Sequence, residues 1–197
     1  VVWAGSKVAT LTVGQSVIAD GVLTGPRSKG EHQSYGGFAS YAVAPQEAAL
    51  PLPETLTFDQ GCNLLGNFET AYHCLIARGK LQPRDVVLVH GASGSTGLAA
   101  VHVAKRIGAT VIATGRNPKK LEAVKAQGAD HVVCTASEGS SPPRFREQVK
   151  ELTGGHGVDV VYDGVGGAIS LESLRCVKFG ARFLIVGWAL VGLASYL

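Results

Sequence analysis

The sequence predicts an α/β fold with a doubly wound parallel sheet over its larger, C-terminal part. Three observations carry that expectation. Strand-like and helix-like segments alternate along the chain from about residue 54 onward. The run Asp85–His90 (DVVLVH) is mostly apolar, as in a strand buried on both faces. The segment after it is a cluster of glycines opening into an amphipathic stretch. Alternation of this kind favours parallel strands joined by helical crossovers.

Taken in order, Ser16–Ala19 and Phe38–Val43 read as strands, with a loop at Thr24–Gly37 rich in Gly, Pro, Ser and Lys. No helix is expected before about residue 50. Thr57–Arg78 carries apolar residues at helical spacing. After the strand Asp85–His90 come a helix over Thr96–Ile107 and a strand over Thr110–Thr114. A helix over Pro118–Gln127 starts at a proline and is stopped by Gly128. His131–Cys134 is a short strand, and Ser137–Arg144 a polar loop. The remaining elements are a helix over Phe145–Thr153, a strand over Val158–Tyr162, a helix over Ala168–Val177 and a strand over Ala181–Val186.

Composition excludes several classes. The chain has 197 residues and is 46% hydrophobic, enough for one sizeable core or for one domain and part of a second. A formal net charge of +3, largely dispersed, argues against a nucleic-acid partner. Cys62, Cys74, Cys134 and Cys176 stand far apart with no CxxC pair, so neither a zinc lobe nor a redox pair is expected. Free cysteines suit a reducing compartment, and the start of the chain does not resemble a signal peptide. The apolar end Phe183–Leu197 spans 15 residues, against about 20 for a bilayer. It reads as a buried strand running into further core, and the chain as cytoplasmic.

The candidate site is the loop Gly91-Ala92-Ser93-Gly94-Ser95-Thr96-Gly97, placed between a buried strand and a helix. In that setting each glycine has a task. The first permits a tight turn, the second lets backbone approach a pyrophosphate, and the third lets helix and sheet pack closely. The helix start offers free N–H groups and the positive end of its dipole to phosphates. The loop is GxxGxxG, one residue longer at its start than the common form. Ser93, Ser95 and Thr96 add hydroxyls.

The next strand decides which dinucleotide is expected. Sites for NAD place Asp or Glu at its end, to bind the ribose hydroxyls. Here Gly115 stands near that position, 115 − 97 = 18 residues after the last loop glycine, and Arg116 follows directly. A carboxylate would repel a 2′-phosphate; a guanidinium holds one. Lys120, one helical turn on, adds a second charge. The expected cofactor is NADPH.

The stretch VVLVHGASGSTGLAAVHVAKRIGATVIATGRNPKKLEAVKAQGADHVV, with GGFASYAVAP (36–45), GNFETAYHCL (66–75), LTGGHGVDVVYDGVGG (152–167) and ARFLIVGWA (181–189), resembles the medium-chain dehydrogenase/reductase superfamily. More narrowly it resembles the zinc-independent NADPH:quinone oxidoreductases, the zeta-crystallin-like group. The resemblance implies a partial GroES-like β domain over residues 1–53 and a Rossmann NADPH-binding domain over residues 54–197, with the active site in the cleft between. It also implies truncation at both ends, with the last Rossmann strand missing.

Residue by residue, the resemblance puts the pyrophosphate on Ser93, Gly94, Ser95, Thr96 and Gly97. It puts the 2′-phosphate at Arg116 and Lys120, with Gly115 a cofactor-binding residue beside them, and Thr70 beside the nicotinamide. Gly164, Val186, Gly187 and Trp188 would border the ribose and nicotinamide. Thr135 stands where relatives often carry an aromatic residue. A zinc-ligand position of metal-dependent relatives falls at Gly66, and no metal is expected. Cys62 and Cys74 read as core packing, His73 and His90 as buried structural histidines, and Tyr41 and Tyr72 as packing rather than proton donors. No catalytic residue is assigned. The implied activity is hydride transfer from NADPH to a quinone or activated enone, the cofactor carrying the chemistry. Reduction of an enoyl or acryloyl thioester on the same fold is the nearest alternative, and a non-catalytic NADPH-binding protein another. The expected partners are a small-molecule substrate and a second copy of the full-length chain, with neither nucleic acid nor membrane.

Overall fold

The computed structural model describes residues 1–28, 31–136, 143–187 and 189. The chain divides into two compact units, Val1–Leu65 and Gly66–Leu197.

In the first unit β1 (Val17–Ala19) pairs antiparallel with β2 (Ala49–Pro51), Ile18 facing Leu50. The helix α1 (Phe58–Cys62) starts at Thr57, whose hydroxyl accepts from the Gln60 N–H while the Gln60 side chain accepts from the Thr57 N–H. That reciprocal cap satisfies two donors a helix start otherwise leaves open. The strand expected at Phe38–Val43 is not formed. Phe38, Tyr41 and Val43 are all exposed, and an alternating run becomes a strand only where one face is buried and an edge is paired.

The second unit holds β3 (Val86–Val89), β4 (Thr110–Gly115), β5 (His131–Cys134), β6 (Val158–Asp163) and β7 (Val177–Ile185), parallel throughout in the order β5-β4-β3-β6-β7. Alternate residues of each central strand enter different cores. Val87, Val89, Val111, Ala113, Val160 and Tyr162 pack on one face against α3 (Ser95–Ile107) and the helical segment containing α2 (Glu69–Tyr72). Leu88, Ile112 and Val161 pack on the other against α5 (Arg146–Leu152) and α6 (Ala168–Ser173). Both faces of the sheet are therefore covered, as the apolar DVVLVH run requires. The helix α4 (Pro118–Ala126) follows β4, capped by Asn117. This is the expected doubly wound, Rossmann-like α/β sheet.

Two boundaries differ from expectation. The long helix over Thr57–Arg78 is instead α1, a turn at Asn63, and a run in which α2 lies between π-helical segments Leu64–Phe68 and His73–Arg78. Gly66 has φ +79°, outside right-handed helical geometry, which interrupts a regular ladder there. The helix expected to reach Val177 stops at Ser173, and β7 starts at Val177. The Val158 N–H bonds to the Cys176 carbonyl at 3.0 Å and Val177 faces Val158, so sheet pairing takes backbone that helical spacing alone would have assigned to α6.

Candidate dinucleotide site

The connectivity reverses at β3: the chain proceeds outward through β4 and β5 on one side and through β6 and β7 on the other. Such a reversal opens a crevice at the carboxyl ends of the strands. The glycine loop lies there, directly after β3. Gly91 has φ +63°, a conformation that L side chains rarely adopt, and its carbonyl accepts from the Gly94 N–H at 2.9 Å. The Ala92 N–H bonds the Thr114 carbonyl at 3.0 Å, fastening the loop to β4. At Gly97 a Cβ would stand 2.3 Å from the Gly91 carbonyl oxygen and 2.8 Å from the Ala92 Cα, so the helix can approach the loop this closely only on glycine. Gly94 is the N-cap of α3 and supplies no side-chain cap, leaving the first-turn N–H groups for an anion. Ser93, Gly94 and Ser95 are exposed and Thr96 is half-buried, its hydroxyl 3.3 Å from the Asn67 Oδ1.

Beside the loop, β4 ends at Gly115. A Cβ there would lie 3.2 Å from a Leu121 methyl and 3.9 Å from the Ser93 Oγ, so this strand end and the loop are immediate neighbours. A cavity of about 430 Å³ opens between them, lined by Gly91, Ser93, Gly94, Gly115 and Arg116, with Thr135 and Val165 also in its lining. Its described lining contains Arg116 and no carboxylate. Lys120 stands exposed in the first turn of α4, where its N–H is held by Asn117 Oδ1 at 3.2 Å; it is not part of the cavity wall.

The end of β6 organises the opposite side. Asp163, buried, accepts from the Val165 and Gly166 N–H groups at 2.8 and 3.0 Å on one carboxylate oxygen and from the Ser170 hydroxyl on the other. Its carbonyl accepts from the Val186 N–H at 2.7 Å and the Gly187 N–H at 3.3 Å. Gly164 and Gly187 are thereby brought together: a Cβ on Gly187 would lie 3.8 Å from the Gly164 carbonyl oxygen. Trp188 lies outside the described residues. Thr70 is half-buried in α2 and does not line the cavity.

The part played by Asp163 was not expected from the sequence. Its signal was available, as a charged residue closing the apolar run VDVVYD ahead of Gly-Val-Gly-Gly. His90 is buried and hydrogen-bonded, as expected, and burial lowers its pKa to about 4, so the ring is neutral. His73, at the start of the π-helical segment after α2, is exposed, not buried, and Cys62, the last residue of α1, is exposed, not in the core. Cys74 is half-buried. Tyr41 and Tyr72 are exposed, so neither packs as expected. Among the described residues no helix is long and apolar enough to cross a membrane.

A Rossmann-like sheet with a phosphate-type glycine loop at its switch point defines a dinucleotide-binding class of protein. The sequence profile described as "Zinc-binding dehydrogenase" matches residues 95–195, and the chain belongs to this family, within the medium-chain dehydrogenase/reductase superfamily. It is 36% identical over 190 residues to a quinone oxidoreductase-like protein 2 homolog of Nematostella vectensis, covering 96% of this chain and 47% of that protein. The quinone oxidoreductase of Thermus thermophilus, solved also in complex with NADPH, is 33% identical with a TM-score of 0.67, over 77% of this chain and 47% of the other. The CurK enoyl reductase is 28% identical with a TM-score of 0.78, over 98% of this chain and 53% of the other. The chain thus spans about half the length of these relatives. Despite the family's description, no three His, Cys, Asp or Glu side chains come together among the described residues as a metal site needs.

Proposed function

We propose that this chain is the dinucleotide-binding part of a zinc-independent, NADPH-dependent reductase that delivers hydride to a quinone or activated enone. The observation that carries the reading is the end of β4: glycine stands where an NAD site has a carboxylate, next to Ser93, and Arg116 lines the cavity. The N–H groups of Ser95, Thr96 and Gly97 bind the pyrophosphate, with the Ser93 hydroxyl beside it. Arg116 binds the 2′-phosphate and Lys120 adds longer-range attraction. Gly164, Val186 and Gly187 border the ribose and nicotinamide, and Thr70 lies toward the nicotinamide. The bound nicotinamide supplies the hydride; the protein's own residues fix its position and exclude water.

Support also comes from a quinone oxidoreductase solved with NADPH among the structural relatives. The similarity to an enoyl reductase favours a second reading, reduction of an enoyl thioester with the same cofactor. Fluorescence titration with NADPH and NADH tests the cofactor assignment. Turnover with a quinone, an alkenal and an enoyl thioester then separates the substrates. Preference for NADH, or no binding of either nucleotide, contradicts the proposal.

A further inference from the structure

One buried side chain links the segments around this cavity. His90 closes the β3 run, one residue before the glycine loop, and is only 2% exposed. Its Nδ1 lies 2.7 Å from the Thr114 Oγ1 and its Nε2 lies 2.7 Å from the Ser173 Oγ. Thr114 and Ser173 are also fully enclosed. The Ser173 hydroxyl donates its single hydrogen to the Ile169 carbonyl at 2.7 Å, so toward His90 it accepts. The proton of the neutral imidazole is therefore on Nε2, and Nδ1 accepts from the Thr114 hydroxyl. The Phe145 ring packs against the imidazole at 5.5 Å between centroids, at an angle of 60°.

Each partner has a consequence for the cavity. Thr114 immediately precedes Gly115 and Arg116, and Ser173 belongs to α6, which follows the Gly164–Gly167 turn. A buried polar trio is costly unless every member is satisfied, and it is satisfied in one arrangement only. An apolar side chain at position 90 would fill the space without fixing any direction.

The geometry points to His90 as a positioning residue for the dinucleotide: through Thr114 it sets the spacing between the glycine loop and Arg116, and so the preference for the phosphorylated nucleotide. Through Ser173 it holds α6 and the turn ahead of it. This rests on the proposed NADPH reading. The two ring nitrogens can be tested apart. His90→Asn keeps an acceptor near the place of Nδ1 and loses the bond to Ser173. His90→Gln keeps a donor near the place of Nε2 and loses the bond to Thr114. Thr114→Val removes that bond at nearly constant volume.

The test is fluorescence titration of the chain and these variants with NADPH and NADH, with 15N histidine NMR of the unaltered chain. Thr114→Val and His90→Gln weaken NADPH by about tenfold, the loss of one buried hydrogen bond, and leave NADH within about twofold. His90→Asn retains the preference. NMR shows His90 as the neutral Nε2–H tautomer at about pH 6, above its lowered pKa. Equal losses for both nucleotides, identical behaviour of the Asn and Gln variants, or a protonated or Nδ1–H ring would overturn the inference. If NADPH binding is intact and depends on Arg116 while the His90 and Thr114 variants keep their preference, this inference alone fails. If the unaltered chain binds neither nucleotide, the proposed function fails with it.

Discussion

In the glycine loop the groups offered to an anion are backbone N–H groups, held where α3 meets the loop by an approach at Gly97 that leaves no room for a side chain. After β4 they are two exposed cationic side chains, Arg116 beside the strand end and Lys120 in the first turn of α4. The first region is intolerant and unselective, since any dinucleotide presents a pyrophosphate. On the proposed reading the second is tolerant and selective, because Arg116 is exposed and would distinguish nucleotides by one phosphate. The contrast separates binding from choice, and substitutions should divide along it.

The largest effect is expected at Gly97. Gly97→Ala places a methyl 2.3 Å from the Gly91 carbonyl, which must move. The cost is about 3 kcal/mol of stability, read by denaturant or thermal melting, together with loss of both nucleotides. Near-normal stability and binding would contradict the close packing of α3 on the loop.

His90 comes next, and its effect depends on pH. Burial lowers its pKa from 6.5 to about 4, so protonation favours the unfolded chain. The stability from this group is fully present above about pH 6.5 and is lost as the pH falls toward 4. The total is about 3 kcal/mol. Melting curves across that window should steepen in the unaltered chain relative to His90→Gln; parallel curves would contradict a buried neutral ring.

A smaller effect belongs to Asn117. Its side chain caps α4 beside Arg116, and Asn117→Ala costs about 1 kcal/mol in a thermal melt. NADPH affinity falls slightly if the α4 start carries Lys120 toward the phosphate. Smallest in energy is thiol accessibility. Cys62 and Cys134 are exposed and should react with a maleimide first, while Cys176 is buried, its pKa pushed up to about 11 by burial, and should react last.

The sheet and its glycine loop were legible in the sequence because both rest on local signals. The strands at Val86–Val89, Thr110–Gly115, His131–Cys134 and Val158–Asp163 are apolar runs bounded by turns, and α3 and α4 carry recognisable starts and stops. What was not legible depends on partners far along the chain. Phe38–Val43 alternates like a strand, but alternation does not supply a neighbour. Val177 passed for helix because its pairing with Val158 is set by the tertiary fold. Within the site, Gly115 and Arg116 could be read from their distance to the loop. The links from His90 to Thr114 and Ser173 span 24 and 83 residues, and no motif connects them.

On the proposed reading the end of β4 selects the phosphorylated nucleotide. The most direct measurement is the ratio of NADPH to NADH dissociation constants for the chain and for Arg116→Ala, by fluorescence titration at one ionic strength. The variant is expected to weaken NADPH about 10- to 100-fold, as the loss of a charge-assisted phosphate contact implies, and to leave NADH within about twofold. An equal loss for both nucleotides, or none for either, would contradict it.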